Sequence, residues 1–186
     1  MAKLIAAKPL KNVRVLFAIA THEEIDRFGA TMSVGELRPD MLIAIDVNHD
    51  YDYAPGMGAK RMNSLAMGEG FTITTGSVTS DYLNSLIESA ALENKIPCQR
   101  DFAGSDSGTD AMAAAHAGVD CAAASIGFPT RNMHTISETA HTGDVLAAVH
   151  VLDASLRKMD KMNRGKGLKL SDLQNGHATL NKAKKV

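Results

Sequence analysis

An α/β fold, with a mixed, mostly parallel sheet flanked by helices, is predicted by two observations. The short runs "VRVLFAIAT" (13–21) and "DMLIAIDV" (40–47) are apolar on both alternating faces, the pattern of strands covered by helices on two sides. Downstream of them, strand-like and helix-like stretches alternate in a βαβαβ order. The 186 residues, 45% of them hydrophobic, suit one domain with a sizeable core.

The elements follow in order. After the two runs, "FTITTG" (71–76) is a third strand. From Ser80, "SDYLNSLIESAALENK" places Tyr82, Leu83, Leu86, Ile87 and Ala90 on one helical face, with Ser80 or Asp81 available to cap its start. "IPCQRDFA" (96–103) reads as a strand, "GTDAMAAAHAG" (108–118) as a short helix ended by Gly118, and "CAAASIGF" (121–128) as a strand. Thr142 caps the last helix, "GDVLAAVHVLDASLRKM" (143–159), whose final turn is basic, as the helix dipole prefers.

Charge divides the chain into two segments. The net charge of −1 combines a net −8 over residues 1–156 with a net +7 over residues 157–186. Residues 1–156 are expected to form the α/β domain and 157–186 a polar, basic extension that buries little surface by itself. Such an extension is either a solvated tail or an arm that orders on a partner protein or an acidic polymer. Nucleic acid is an unlikely partner for the acidic core, where aromatic residues are scarce, and remains an option only for the basic tail. No apolar stretch approaches the roughly 20 residues that cross a bilayer, and the N-terminal apolar segment is short for a secretion signal, so no membrane partner and a cytoplasmic location are expected. Cys98 and Cys121 lie in apolar segments without CxxC spacing and are expected to be buried, inert thiols.

Three predicted strand ends carry side chains suited to metal chemistry. They are His22-Glu23-Glu24 after "VLFAIAT", Asp46 in "IAIDVNHDYD", and His134 in "FPTRNMHT". Ligand sites of open α/β sheets lie at the carboxyl ends of strands, and Glu, Asp and His are the oxygen and nitrogen donors that zinc, cobalt or manganese accept. A neighbouring glutamate off the metal suits a general base that takes a proton from water. The alternatives stay open at this stage: Glu23 and Glu24 also fit a solvated strand end, and His134 alone is nonspecific.

Four segments in order, "THEEIDRFGA", "AIDVNHD", "SGTDAMAAAHAGV" and "SIGFPTRNMHTISE", resemble the C-terminal half of the catalytic domain of the tetrahedral, or glutamyl, aminopeptidases, an endoglucanase-like metallopeptidase family. The resemblance spans about residues 10–156. It implies a truncated metallo-aminopeptidase catalytic domain, two divalent metals, commonly zinc or cobalt, and removal of N-terminal residues from peptides inside a hollow dodecamer. Position by position it implies Glu23 as general base, Glu24 and His134 as ligands of one metal, Asp46 as ligand of the other, and Thr109 and Asp110 near the substrate.

Departures accompany the likeness. A histidine ligand and a metal-bridging aspartate that precede the strand matching 13–21 have no counterpart in this sequence, nor has the family's inserted dimerisation domain. Three of five ligands plus the base are therefore expected, with His22 and His49 placed as possible replacements. Asp26-Arg27 stands where the family has a glycine-led turn, and "AGSDSGTDA" replaces a run of glycines. Two functions follow: a metal-dependent aminopeptidase, active alone or with a companion chain, or a catalytically degenerate relative serving as an assembly or partner-binding module. Either way the sheet edge is expected to pair with another subunit.

Overall fold

The computed structural model describes residues 1–54 and 64–162. Its sheet contains β1 (Met41–His49), β2 (Phe71–Thr75), β3 (Cys98–Phe102), β4 (Ala122–Arg131) and the short β5 (Thr139–Ala140). The order is β1-β4-β2-β3, with β5 pairing β4 off that path. Parallel pairs β1/β4 and β2/β3 are joined by an antiparallel β2/β4 contact, which makes the sheet mixed and mostly parallel as the sequence predicts.

Helices cover both faces. On one side, α3 (Asp81–Glu93) and α5 (Thr142–Met162) bury Leu83, Leu86, Ile87, Ala91, Ala147, Val151, Leu152 and Met159 against Phe71, Ile73, Ala124 and Ile126. Ser80 starts α3 as predicted, its hydroxyl accepting from the Leu83 amide at 3.3 Å. Truncating a core residue such as Ile87 to alanine removes about 2–5 kcal/mol. On the other side a smaller cluster joins Ala30 and Val34 of α2 (Phe28–Leu37) to Ala113 and Ala114 of α4 (Ala113–His116). A 3-10 turn, Asp110–Met112, precedes α4. A short helix, α1 (Ala2–Ala7), opens the chain.

The structure corrects two expectations. Residues 13–20 join no strand of the sheet; Leu16 and Phe17 are exposed and Ile19 is 97% exposed. Strand propensity needs a neighbouring ladder, and among the described residues β1 pairs on one side only, with β4. Cys98 is exposed on the edge strand β3, and Cys121 is half-buried. Both nevertheless hold their protons: desolvation first and neighbouring carboxylates second push the Cys98 thiol up to about 12 and the Cys121 thiol up to about 11.

Helix α2 has no counterpart among the predicted elements. Its sequence, FGATMSVGEL, holds two glycines, and its N-cap, Arg27, makes no side-chain capping bond. Helix α5 begins one residue before the predicted start and runs past residue 156 to Met162; residues 163–186 of the basic extension lie outside the described residues. No helix among the described residues is long and apolar enough to cross a membrane.

Candidate metal centre

The loop carrying Glu23 and Glu24 is closed by its own backbone. The Gly29 amide donates to the Thr21 carbonyl at 2.9 Å, and a Cβ at Gly29 would stand 2.4 Å from that residue's backbone N and O. Only glycine permits this approach, which turns the chain sharply into α2. Between the two anchors, His22, Asp26 and Arg27 adopt left-handed φ values of 57°, 55° and 56°. Such conformations are costly for side-chain-bearing residues and persist where surrounding contacts enforce them. Here Arg27 supplies such a contact, its Nη2 lying 2.9 Å from Asp106 Oδ1 in the loop that follows β3.

His134 reaches the same place from the β4–β5 hairpin. β5 folds back antiparallel on the end of β4, and between them Asn132 and His134 take φ values of 58° and 63°. The Glu138 carboxylate accepts from the His134 amide and steadies the hairpin tip. His134 Nε2 then stands 3.4 Å from Glu24 Oε1, both side chains largely exposed. Two donors bound at about 2.1 Å across a tetrahedral angle are separated by about this distance.

Asp46 and Asp110 complete an acidic basin. Asp46 lies near the end of β1, its Oδ1 accepting from the Val47 amide at 2.8 Å. Burial raises the Asp46 pKa against that hydrogen bond, with Asp110 and Glu24 adding to the rise and Arg27 opposing it. The Glu23 carboxyl is likewise raised, by burial first and then by Asp46, Glu24 and Asp110, again against Arg27. Asp110 is raised by burial and lowered by Arg27, and its Oδ1 is buried without a hydrogen-bond partner among the described residues. Thr109 is buried; its hydroxyl accepts from the Ala111 amide, capping the 3-10 turn, and donates to Ser125 Oγ at 3.2 Å.

A second layer of polar residues, none singled out from the sequence, holds the strand ends in register. Gly127 pairs with Asp46 across β1/β4, and a Cβ there would meet the Asp46 carbonyl at 2.4 Å and Asn48 Oδ1 at 2.9 Å. Asn48 donates to Asp101, which also accepts from the Tyr51 hydroxyl at 2.9 Å. Buried Asp50 pairs with Arg131 at 2.8 Å, and that guanidinium stacks 3.7 Å from the Tyr53 ring centroid. An aspartate that directly follows an apolar strand was the available signal for Asp50; Asp101, within the polar strand CQRDF, carried none.

The structure thus brings Glu24 to His134 and draws Glu23, Asp46 and Asp110 into mutual electrostatic range. The Glu24–His134 pair offers two of the three protein donors that a catalytic zinc ordinarily takes. Among the described residues no group of three or more His, Cys, Asp or Glu side chains assembles, either at this pair or around Asp46. His22 is exposed and His49 half-buried, and neither completes such a group.

Comparison with known proteins bears on the family and the fold. A family model described as M42 glutamyl aminopeptidase matches residues 1–151. The putative aminopeptidase SgcX of Escherichia coli K12 is 28% identical over 155 residues, covering 77% of this chain and 40% of that protein. A TET aminopeptidase from a marine sediment thaumarchaeote superposes with a TM-score of 0.64 at 20% identity, over 84% of this chain and 41% of that one. The TET1 peptidase of Pyrococcus horikoshii, described as assembling into a tetrahedron or a large octahedral shell, superposes at 0.58 with 24% identity, over 73% and 38%. The chain therefore spans about two fifths of the length of these relatives.

Proposed function

Because this chain belongs to the M42 glutamyl aminopeptidase family, we propose that it carries a metal-assisted peptidase centre that hydrolyses N-terminal residues from peptides. The observation that carries the reading is the 3.4 Å approach of His134 to Glu24 with Glu23 next to it in the chain. Zinc, cobalt or manganese is the candidate ion and the cytoplasm the working compartment.

Glu24 and His134 would hold one ion. A divalent cation there would supply a Lewis acid that polarises the scissile carbonyl and acidifies water. Glu23 accepts the proton from the attacking water and passes it to the leaving amine. Its raised pKa makes it a stronger base than an ordinary surface carboxylate. Asp46 and Asp110 keep the basin negative, which favours the protonated N-terminus of a peptide.

The test is hydrolysis of short peptides with free and blocked N-termini in the presence of each ion. Cleavage of the free peptides alone, reduced about 10²- to 10⁴-fold by Glu23→Gln, supports the reading. Cleavage that survives Glu23→Gln removes Glu23 from the base role.

A second reading, an assembly or partner-binding module, is favoured by a different observation. Phe17, Ile19, Ile25, Phe28 and Met32 are all exposed on 13–20 and the adjoining turn and helix, and β1 pairs on one side only among the described residues. Apolar exposure and an open edge both invite a further chain. Molar mass in solution separates the readings: a large assembly without peptidase activity supports the module, and a monomeric, active protein contradicts it.

A further inference from the structure

Residues 13–20 are an unpaired stretch of backbone at the surface. Among the described residues none of them enters a backbone–backbone hydrogen bond, and Leu16, Phe17 and Ile19 are 45%, 56% and 97% exposed. The two ends of the stretch are held all the same: Val13 packs on the core cluster under α3 and α5, and Ala20 on the cluster of α2 and α4. A tethered backbone that pairs with nothing, beside exposed apolar side chains, is what a sheet edge offers to an added strand.

The chain itself carries an occupant that starts in the right place. Asp160, near the end of α5, accepts from the Lys11 and Asn12 amides, and its carbonyl accepts from the Asn12 side chain at 2.9 Å. Helix α5 ends at Met162, within one helical turn of Asp160, so residues 163–186 leave the described part of the chain beside the start of 13–20. At roughly 3.3 Å per residue, 13–20 spans about 26 Å and 163–186 reach about 80 Å, enough to run its length and beyond.

The extension also has matching chemistry. In "GLKLSDL" (167–173) Leu168 and Leu170 flank Lys169, the period-two spacing that puts both leucines on one side of a strand and the lysine on the other. Lys182, Lys184 and Lys185 follow, and Asp172 is the only acidic residue of 163–186. The stretch 13–20 leads into the turn of Glu23, Glu24 and Asp26, where Glu24 and Asp26 are exposed. A segment laid along 13–20 from the α5 end therefore brings its basic end to that acidic turn.

We propose that residues 167–173 of the chain's own extension pair along 13–20, with Leu168 and Leu170 covering Phe17 and Ile19 and the terminal lysines facing the Glu23–Asp26 turn. Backbone groups left open on 13–20 gain partners, and apolar burial and opposite charge favour the contact. The inference does not depend on the metal-centre reading. It gives the exposed face an occupant from within the chain, in place of the further chain of the module reading.

Hydrogen exchange on the 186-residue protein, each amide measured against its intrinsic rate, tests the proposal, with molar mass by light scattering on the same samples. Amides of 13–20 are expected to exchange about tenfold or more below their intrinsic rates. Leu168→Asp with Leu170→Asp should abolish that protection while amides of α3 and β4 keep theirs and the molar mass stays the same. Leu168→Ser with Leu170→Ser should act in the same direction and serves if the aspartates impair folding, which the α3 and β4 amides report. Intrinsic exchange of 13–20 in the unsubstituted protein overturns the proposal. Protection that survives both double variants overturns it as well, and assigns the face to another segment or chain. Loss of protection together with a fall in molar mass overturns it in favour of the extension of a second copy.

Discussion

His134 on the β4–β5 hairpin and Glu24 on the turn before α2 place Nε2 and Oε1 3.4 Å apart, although one follows a buried strand and the other follows a segment outside the sheet. The pairing depends on two strained backbones, with φ of 63° at His134 and left-handed residues on both sides of Glu24. Losing either donor leaves the other largely exposed and alone. Glu24→Ala and His134→Ala are each expected to weaken ion binding by at least tenfold, and the double variant by little more than either single one. Calorimetric affinities of the three variants provide the check; additive losses would mean that the two side chains bind independently.

The register at Gly127 is expected to matter as much as the donors. A methyl group there meets the Asp46 carbonyl at 2.4 Å, and that atom is backbone, which cannot swing away. Gly127→Ala should lower stability by about 1–3 kcal/mol and reduce ion retention together, as read by urea denaturation and metal analysis. A variant with native stability would show that β1 and β4 shift easily.

Asp144 latches the segment before β2 to the first turn of α5. Its buried carboxylate accepts from the Gly68 amide at 2.7 Å and the Gly70 amide at 2.9 Å. Asp144→Ala leaves both donors without their acceptor and is expected to cost about 3 kcal/mol in urea denaturation, with Asp144→Asn losing less. Equal losses in the two variants would indicate that charge, not hydrogen bonding, is what holds the latch.

Asp160 ties the segment after α1 to the end of α5. Its Oδ1 accepts from the Lys11 amide at 2.8 Å and from the Asn12 amide, and the Asn12 side chain donates to its carbonyl at 2.9 Å. Backbone hydrogen bonds, that of Asn12 foremost, hold the Asp160 carboxyl below the usual value of 3.8. A lowered folded pKa contributes stability that is fully present above the unfolded value and is lost as pH falls through the folded one. Protection of the Lys11 and Asn12 amides, measured against their intrinsic exchange at each pH, should therefore be full near neutrality and fall below about pH 4. Unchanged exchange in Asp160→Asn would contradict this tether.

Much of the fold was legible because its signals are local. Helix α3 declares itself through Ser80 and the spacing of Leu83, Leu86 and Ile87, and β1, β2 and β4 through apolar runs bounded by polar residues. Helix α2 was not legible, since two glycines and an uncapped Arg27 give no local reason to form a helix; it forms because Ala30 and Val34 pack on Ala113 and Ala114. The run at 13–21 misled for the complementary reason: its composition suits a strand, but a strand exists only with a neighbour. At the site, residue types alone singled out Glu24 and His134, which the structure places 3.4 Å apart, although the strand expected before Glu23 and Glu24 does not form. The Arg27–Asp106 clamp joins two distant loops, and its partner cannot be read from either one.

The central claim is that Glu24 and His134 still form a metal centre. It is tested most directly by metal content of the purified protein after incubation with zinc, cobalt or manganese and removal of excess ion. The account predicts close to one ion per chain, lost in Glu24→Ala and in His134→Ala. Protein that retains no ion, or retains it equally in both variants, would contradict it.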